Sequence, residues 1–306
     1  MHLGIRLPHF NKIASDPRTA PKQIMTVATR AEELGFDSIW VGDHIVPSPD
    51  TAARFGTVWY EAVTTLTYAA AVTERVRLGT SVLVAPYRHP LLIGKMLATL
   101  DVLSGGRVDA GFGTGWLESE YRALGLDTFA TRGQVTDDVL STMKAAWAGA
   151  MSVDPNSPDS TYLFAPQPIQ QAGIPIWIGG NSKRAARRVV EFGDAWMLMR
   201  STLDDFRTAV AGLHGLCESR DRDPSTIILG VEHPLRVLPE ESGLDEPFIG
   251  STDEIVDQLT RFAAEGATHF LFDMHFSSPK VDNVTIEQML EGMHRISEDV
   301  MPKIAG

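Results

Sequence analysis

The sequence predicts a (β/α)8 barrel, an α/β fold of the TIM-barrel type with inserted segments at its C-terminal mouth. Three observations lead there: eight short β-rich runs are spread from end to end, helical patterns separate them, and the runs are apolar almost throughout. Strands that alternate with helices pair in parallel, and strands buried on both faces read as continuous apolar runs. Eight such units close a barrel.

In chain order the runs are HLGIRLP, SIWVGDH, VRLGTSVLV, RVDAGFG, IPIWIGG, DAWMLM, TIILGVE and HFLFDM. After the first, Ile24, Val27, Ala28, Ala31 and Leu34 share one helical face, with Pro21 near its start and Gly35 beyond its end. The fourth run, near Val108, and the fifth, near Ile176, stand about twice as far apart as a bare unit needs. That interval holds a helical run from Thr131 to Gly149 and then MSVDPNSPDSTYLFAPQPIQQAGIP, whose Pro, Ser and Asp content predicts a loop across the barrel mouth. A second excursion, HPLRVLPEESGLDEPFIGS, follows the seventh run. The helix after it opens on a capping box, Ser251 with Glu254 three residues on, and turns Ile255, Leu259, Phe262 and Ala263 inward. One domain over residues 1–306 is expected, with no internal repeat.

Composition narrows the function. With 43% hydrophobic and 22% charged residues the chain has a globular composition, and a formal charge of −12 disfavours polyanionic partners such as nucleic acid or an anionic membrane. No apolar run reaches the ~18 residues of a membrane helix. Cys217, the only cysteine, has no disulfide partner and sits in a helical pattern as a core filler; the N-terminus MHLGIRLPHF lacks a secretory pattern. A cytoplasmic protein is expected.

The stretch GFGTGW at 111–116 has alternating glycines but fits no nucleotide fingerprint, because Trp116 stands where G-x-G-x-x-G needs its third glycine. A phosphate loop is absent as well, since no Gly-Lys-Ser/Thr occurs in the chain. The glycines therefore mark either a tight turn or a place where a ligand lies close against the backbone. Active sites of these barrels lie at the C-terminal strand ends, and four ends are informative: Asp43-His44, Ser81-Val82-Leu83, Gly113-Thr114-Gly115 and Gly179-Gly180-Asn181-Ser182. The last of these, with Lys183, precedes the helical run RAARRVVEF and offers free backbone N–H groups, a hydroxyl and a cation to an anion such as a cofactor phosphate. His44 at the mouth has the chemistry of a general acid or base.

Taken with APYRHPLLIGKMLATLDVLSGGRVDAGFGTGW and PIWIGGNS, these ends give the chain its resemblance to the bacterial luciferase-like flavin and deazaflavin oxidoreductases, over nearly its whole length. The resemblance implies hydride transfer between coenzyme F-420 (an 8-hydroxy-5-deazaflavin) and a small organic substrate, in a cytoplasmic enzyme that is commonly a dimer. It implies that GFGTGW forms the rim beside the ring, with Gly113, Thr114 and Gly115 approaching it closely. In deazaflavin-using relatives the bond matching Ser81-Val82 is a non-prolyl cis peptide that backs the ring. It further implies catalytic roles for His44 and Asp43, the aspartate either holding the ring or orienting the histidine. Gly179, Gly180, Asn181, Ser182 and Lys183 become the phosphate site. Arg184, Arg187 and Arg188 are either a solvated helix face or partners of the coenzyme's oligoglutamate tail.

Arg88-His89-Pro90 belongs by resemblance to the scaffold and a homodimer interface. In the deazaflavin-dependent sugar-phosphate dehydrogenases a glutamate follows GTG, and here Trp116 replaces it, which counts against a sugar phosphate. Trp116 and Glu120 are expected in the substrate pocket. His233, His269 and His275 lie near late strand ends, close to Asp273, without a ligand spacing, so no metal is expected. Two alternatives stand beside the leading reading: an FMN-dependent monooxygenase using reduced flavin and oxygen, and a non-catalytic cofactor-binding protein.

Overall fold

The computed structural model describes residues 1–10, 13, 15–151, 162–241, 247–275 and 284–304. Its centre is a closed ring of eight parallel strands: β1 (His2–Arg6), β2 (Ser38–Val41), β3 (Arg77–Thr80), β4 (Val108–Gly113), β5 (Ile176–Gly179), β6 (Ala195–Met199), β7 (Ile228–Pro234) and β8 (His269–Asp273). The order is β3-β2-β1-β8-β7-β6-β5-β4, and Leu78 beside Val108 closes β3 onto β4. Every strand predicted from an apolar run is present. The third run does not stay one strand: it breaks after Thr80 and resumes as Leu83–Val84 beside Phe112 and Gly113, with a cis Ser81–Val82 bond in the gap.

Strand parity explains the core. Ile39 and Val41 face outward into the layer beneath the helices, whereas Trp40 between them joins Trp177, Ala195, Met197 and Leu271 in a separate cluster. Trp40 and Trp177 meet edge to face at 5.3 Å, a favoured aromatic arrangement. Their bulk is matched by glycines: a Cβ on Gly79 would lie 2.1 Å from the Trp40 ring, and one on Gly230 would lie 2.9 Å from Trp177.

One helix follows each strand in the outer layer: α1 (Ala20–Glu33), α2 (Ala62–Ala70), α3 (Pro90–Leu103), α4 (Arg132–Trp147), α5 (Lys183–Phe192), α6 (Leu203–Glu218), α7 (Thr252–Ala264) and α8 (Ile286–Arg295). α1 buries Ile24, Val27, Ala28 and Ala31 as its spacing dictates. α7 carries the Ser251–Glu254 capping box and buries Ile255, Leu259 and Phe262, while Ala263 is only half-buried. Cys217 is fully buried on α6, and burial pushes its thiol pKa up.

The long β4–β5 connection contains α4, which hangs on α3 through Trp147 Nε1 donating to Gly94 O at 3.0 Å. An antiparallel pair, Ala150–Met151 with Tyr162–Leu163, follows it. Of the loop predicted to cross the mouth, 152–161 lies outside the described residues, as does 242–246 of the second excursion; the described remainder does not cross the mouth but runs along α3, the Ile169 amide donating to Asp101 at 2.9 Å, to the start of β4, where Gln170 donates to Val108 O at 2.9 Å. Among the described residues no helix is long and apolar enough to cross a membrane.

Candidate active site

A cavity of about 300 Å³ opens at the C-terminal ends of the strands, and all eight contribute to its lining. β1 supplies Arg6, β2 is followed by Asp43 and His44, β3 by Ser81 and Val82, β4 by Thr114, Gly115 and Trp116, and β5 by Gly180. Met199 and Arg200 come from the end of β6, Glu232 from β7 and Asp273 from β8.

His44 is held from behind. Its Nδ1 lies 2.8 Å from Glu120 Oε2, so it donates to the carboxylate and leaves Nε2 as the ring nitrogen that serves a ligand. Glu120 is fully buried. It also accepts from the backbone N–H groups of Ile45 and of Val46 (2.9 Å) and from the Tyr87 hydroxyl at 2.9 Å. Burial by itself would raise the Glu120 pKa, but the hydrogen bonds from His44 and the backbone amides outweigh it and hold the carboxyl below its usual range. Burial, followed by the Glu120 charge, pushes the Tyr87 phenol upward, so it stays a donor. Glu120 is thus not a pocket residue as the sequence suggested. It sits at the start of a short helix, Glu118–Ala123, that turns it away from the cavity and under the imidazole.

Asp43 does not touch His44's ring nitrogen either. Arg88 grips its carboxylate with two bonds, of 2.7 and 2.8 Å, and the Val84 amide donates to it at 3.0 Å. Arg88 also donates to Glu61 at 2.7 Å. The Arg-His-Pro segment, read as scaffold, therefore contributes the cation that fixes Asp43, while His89 caps α3. A second buried ion cluster lies on the cavity floor. Arg6 Nη2 donates to Glu232 Oε1 at 2.5 Å and to Ser81 O at 3.1 Å, its Nε stands 3.4 Å from Asp273, and the Ser81 hydroxyl donates to Glu232.

The glycines of the rim make room first for neighbouring protein atoms. A Cβ on Gly113 would lie 2.5 Å from Val82 Cγ2, and one on Gly179 would lie 2.6 Å from Val82 Cγ1. Val82 thus fills the space between the ends of β4 and β5. At Gly111 the added atom would meet the Thr80 carbonyl at 1.9 Å. The close backbone approach inferred from GFGTGW is real, but its partners here are Val82 and Thr80. Gly115, at φ +70°, lines the cavity itself.

The β5–α5 turn forms the opposite wall. Ser182 caps α5, its Oγ accepting from Ala185 N at 3.1 Å. Asn181 bridges to β6, donating to Met199 O and accepting from Met199 N, both at 2.8 Å. A second cavity of about 600 Å³ begins at Asn181, Ser182 and Lys183 and runs between α5 and α6. Arg187 borders it. Arg188 does not, because it donates to Asp137 at 2.5 Å and to Gly133 O at 2.9 Å.

Of the late histidines, His275 is buried beside Asp273. His233 packs on Phe248, and burial lowers its pKa to about 3. His269 lies at the far end of the barrel, stacked on His2 at 4.4 Å. Arg6 and Glu232 were missed although they obey the same strand-end rule: the runs HLGIRLP and TIILGVE carry them at their C-terminal ends.

A family model described as luciferase-like monooxygenase matches residues 1–247; β8 follows beyond that match. Among curated proteins, an F-420-dependent glucose-6-phosphate dehydrogenase of Beutenbergia cavernae is 25% identical over 95% of this chain and 96% of that protein. A protein of the same description from Kineococcus radiotolerans is 42% identical over 60% of this chain and 54% of its own length. Several other curated relatives likewise align over about half their length. Among solved structures, a monooxygenase from Streptomyces bottropensis has a TM-score of 0.80 at 19% identity, covering 99% of both chains. An F-420-dependent secondary alcohol dehydrogenase in complex with an F-420–acetone adduct has a TM-score of 0.77 at 19% identity, covering 99% of this chain and 98% of that one. At these identities the structural likeness speaks to the fold.

Proposed function

The chain belongs to the luciferase-like monooxygenase family, and on that premise we propose that it is an oxidoreductase transferring a hydride between coenzyme F-420 and a small organic substrate. The observation that carries this reading is His44, anchored through Nδ1 to a buried carboxylate and presented at the mouth beside backbone with few side chains. The residues present fit a ring with an anionic tail. Ser81, Val82, Gly113, Thr114, Gly115, Gly179 and Gly180 would hold the ring, and Ser182, Lys183 and the free N–H groups of α5 would hold the anion at the second cavity. When bound, the deazaflavin supplies a two-electron hydride donor or acceptor. His44 Nε2 gives or takes the proton at the substrate oxygen, and Glu120 orients the imidazole through Nδ1. Asp43 is locked by Arg88 and acts as a positioning residue for the β2 end, not as a second base. Asn181 stiffens the anion wall by joining β5 to β6.

The test is to titrate the purified protein separately with coenzyme F-420 and FMN, following ring fluorescence. Preference for the deazaflavin is expected; tight FMN binding without affinity for the deazaflavin would overturn the reading. The monooxygenase reading draws support from relatives such as limonene 1,2-monooxygenase of Rhodococcus erythropolis, 29% identical over 52% of this chain. It requires oxygen uptake with reduced FMN. A cytoplasmic homodimer belongs to the same proposal, supported by exposed Tyr68 on α2 and Leu92, Val102 and Leu103 on α3. Light scattering at micromolar protein tests it.

A further inference from the structure

Three rings, Trp59, Trp116 and Phe55, stand on the His44 side of the cavity. Trp59 stands edge-on to His44 at 4.5 Å and Trp116 at 6.0 Å, and Phe55 meets these same two tryptophans at 6.4 and 6.5 Å. The rim beside them is unusually bare: Trp116 is 59% exposed, and Ile45 and Val46, directly after His44, are also exposed. A contiguous apolar rim around a polar catalytic group is the signature of a ligand surface.

The charges close by are already engaged. Asp43 is saturated by Arg88, and Arg6 lies between Glu232 and Asp273. The other arginine in the lining, Arg200, follows β6, which lies four places around the ring from β2. A phosphate brought to His44 would therefore meet carboxylates and indoles. A polyhydroxylated substrate would bury hydroxyls against rings that offer few partners, at about 1–3 kcal/mol for each one left unsatisfied.

We infer that the substrate is an uncharged, apolar ring compound carrying one oxygen function, bound between Trp59 and Trp116 with that oxygen at His44. This rests on the reading of the cavity as an oxidoreductase site, and it departs from the sugar phosphate named for a relative that aligns over 95% of this chain.

The test labels the six tryptophans with 5-fluorotryptophan, assigns the Trp59 and Trp116 fluorine signals through Trp59→Phe and Trp116→Phe, and titrates the unloaded protein. The probes are cyclohexanone, benzyl alcohol, glucose 6-phosphate and tetramethylammonium. The neutral ring probes are expected to shift both signals saturably. Trp116→Ala, checked for folding by circular dichroism, is expected to weaken them about tenfold, and Trp59→Leu provides a second variant. Stronger shifts from glucose 6-phosphate or tetramethylammonium, or no saturable shift from either neutral probe, would overturn the inference. The coenzyme titrations are run alongside: loss of both coenzymes would defeat the functional reading while the fluorine shifts still report the substrate class.

Discussion

The two walls of the mouth solve opposite problems with different materials. The β2–β4 wall presents an imidazole among indoles, with Asp43, Glu61 and Glu120 each tied to a partner. The β5–β6 wall presents a helix N-terminus, a hydroxyl and cations at the mouth of an apolar cleft lined by Trp196, Leu198, Ala209 and Leu216. The first is suited to moving a proton, the second to gripping an anion. On the proposed reading, binding strength and reactivity fall on separate strands, so each can be damaged alone.

The sharpest break is His44→Ala. If the β2–β4 wall carries the proton, turnover falls by about 10²–10⁴ while coenzyme affinity holds within a few-fold; steady-state kinetics beside a fluorescence titration reads both, and an unchanged rate removes His44 from the mechanism. The reciprocal break is Ser182→Ala with Lys183→Ala. Charged hydrogen bonds of about 1.5–3 kcal/mol predict a loss of coenzyme affinity of roughly 10–100-fold, with turnover at saturation preserved. Glu120→Gln is expected to lower turnover by about tenfold, because the carboxylate that accepts from His44 Nδ1 and fixes the ring's orientation becomes an amide; steady-state kinetics at saturating coenzyme reads the loss.

A further effect falls on stability, one imidazole behind each wall. His9, whose Nδ1 bonds Leu7 O at 2.9 Å and whose Nε2 accepts from Gly42 N at 2.9 Å, backs the first; His233 on β7 backs the second. Burial lowers both pKa values from 6.5 to about 3. The unfolded chain therefore binds protons that the folded one refuses. Stability is complete above about pH 6.5 and is lost as pH falls toward 3, by about 1.4 kcal/mol per pH unit for each histidine. Urea unfolding between pH 7 and 4 should show the slope, and His233→Gln should remove one share of it.

The barrel was legible because both faces of each strand are covered, which writes runs such as IPIWIGG and DAWMLM directly into the chain. The break in the third run was not legible as a break in the apolar pattern, since Val82 and Leu83 continue it. The site was half legible. His44 and the β5–α5 turn follow from position at strand ends, and the same logic applied to every strand would have found Arg6 and Glu232. Glu120 was expected in the substrate pocket, and its pairing with His44 was not foreseen. Its actual partner lies 76 residues earlier, and no short-range pattern records such a pairing. Arg88 was hidden for the same reason, reaching Asp43 across 45 residues.

The wedge of Val82 between Gly113 and Gly179 makes three distant positions share one volume. Substitutions there are not independent events: alanine at 113 or 179 should be tolerated in descendants of this sequence only where position 82 has already become smaller. A library that varies the three singly would judge the rim immutable, while one that varies them together would find the combinations that reshape it.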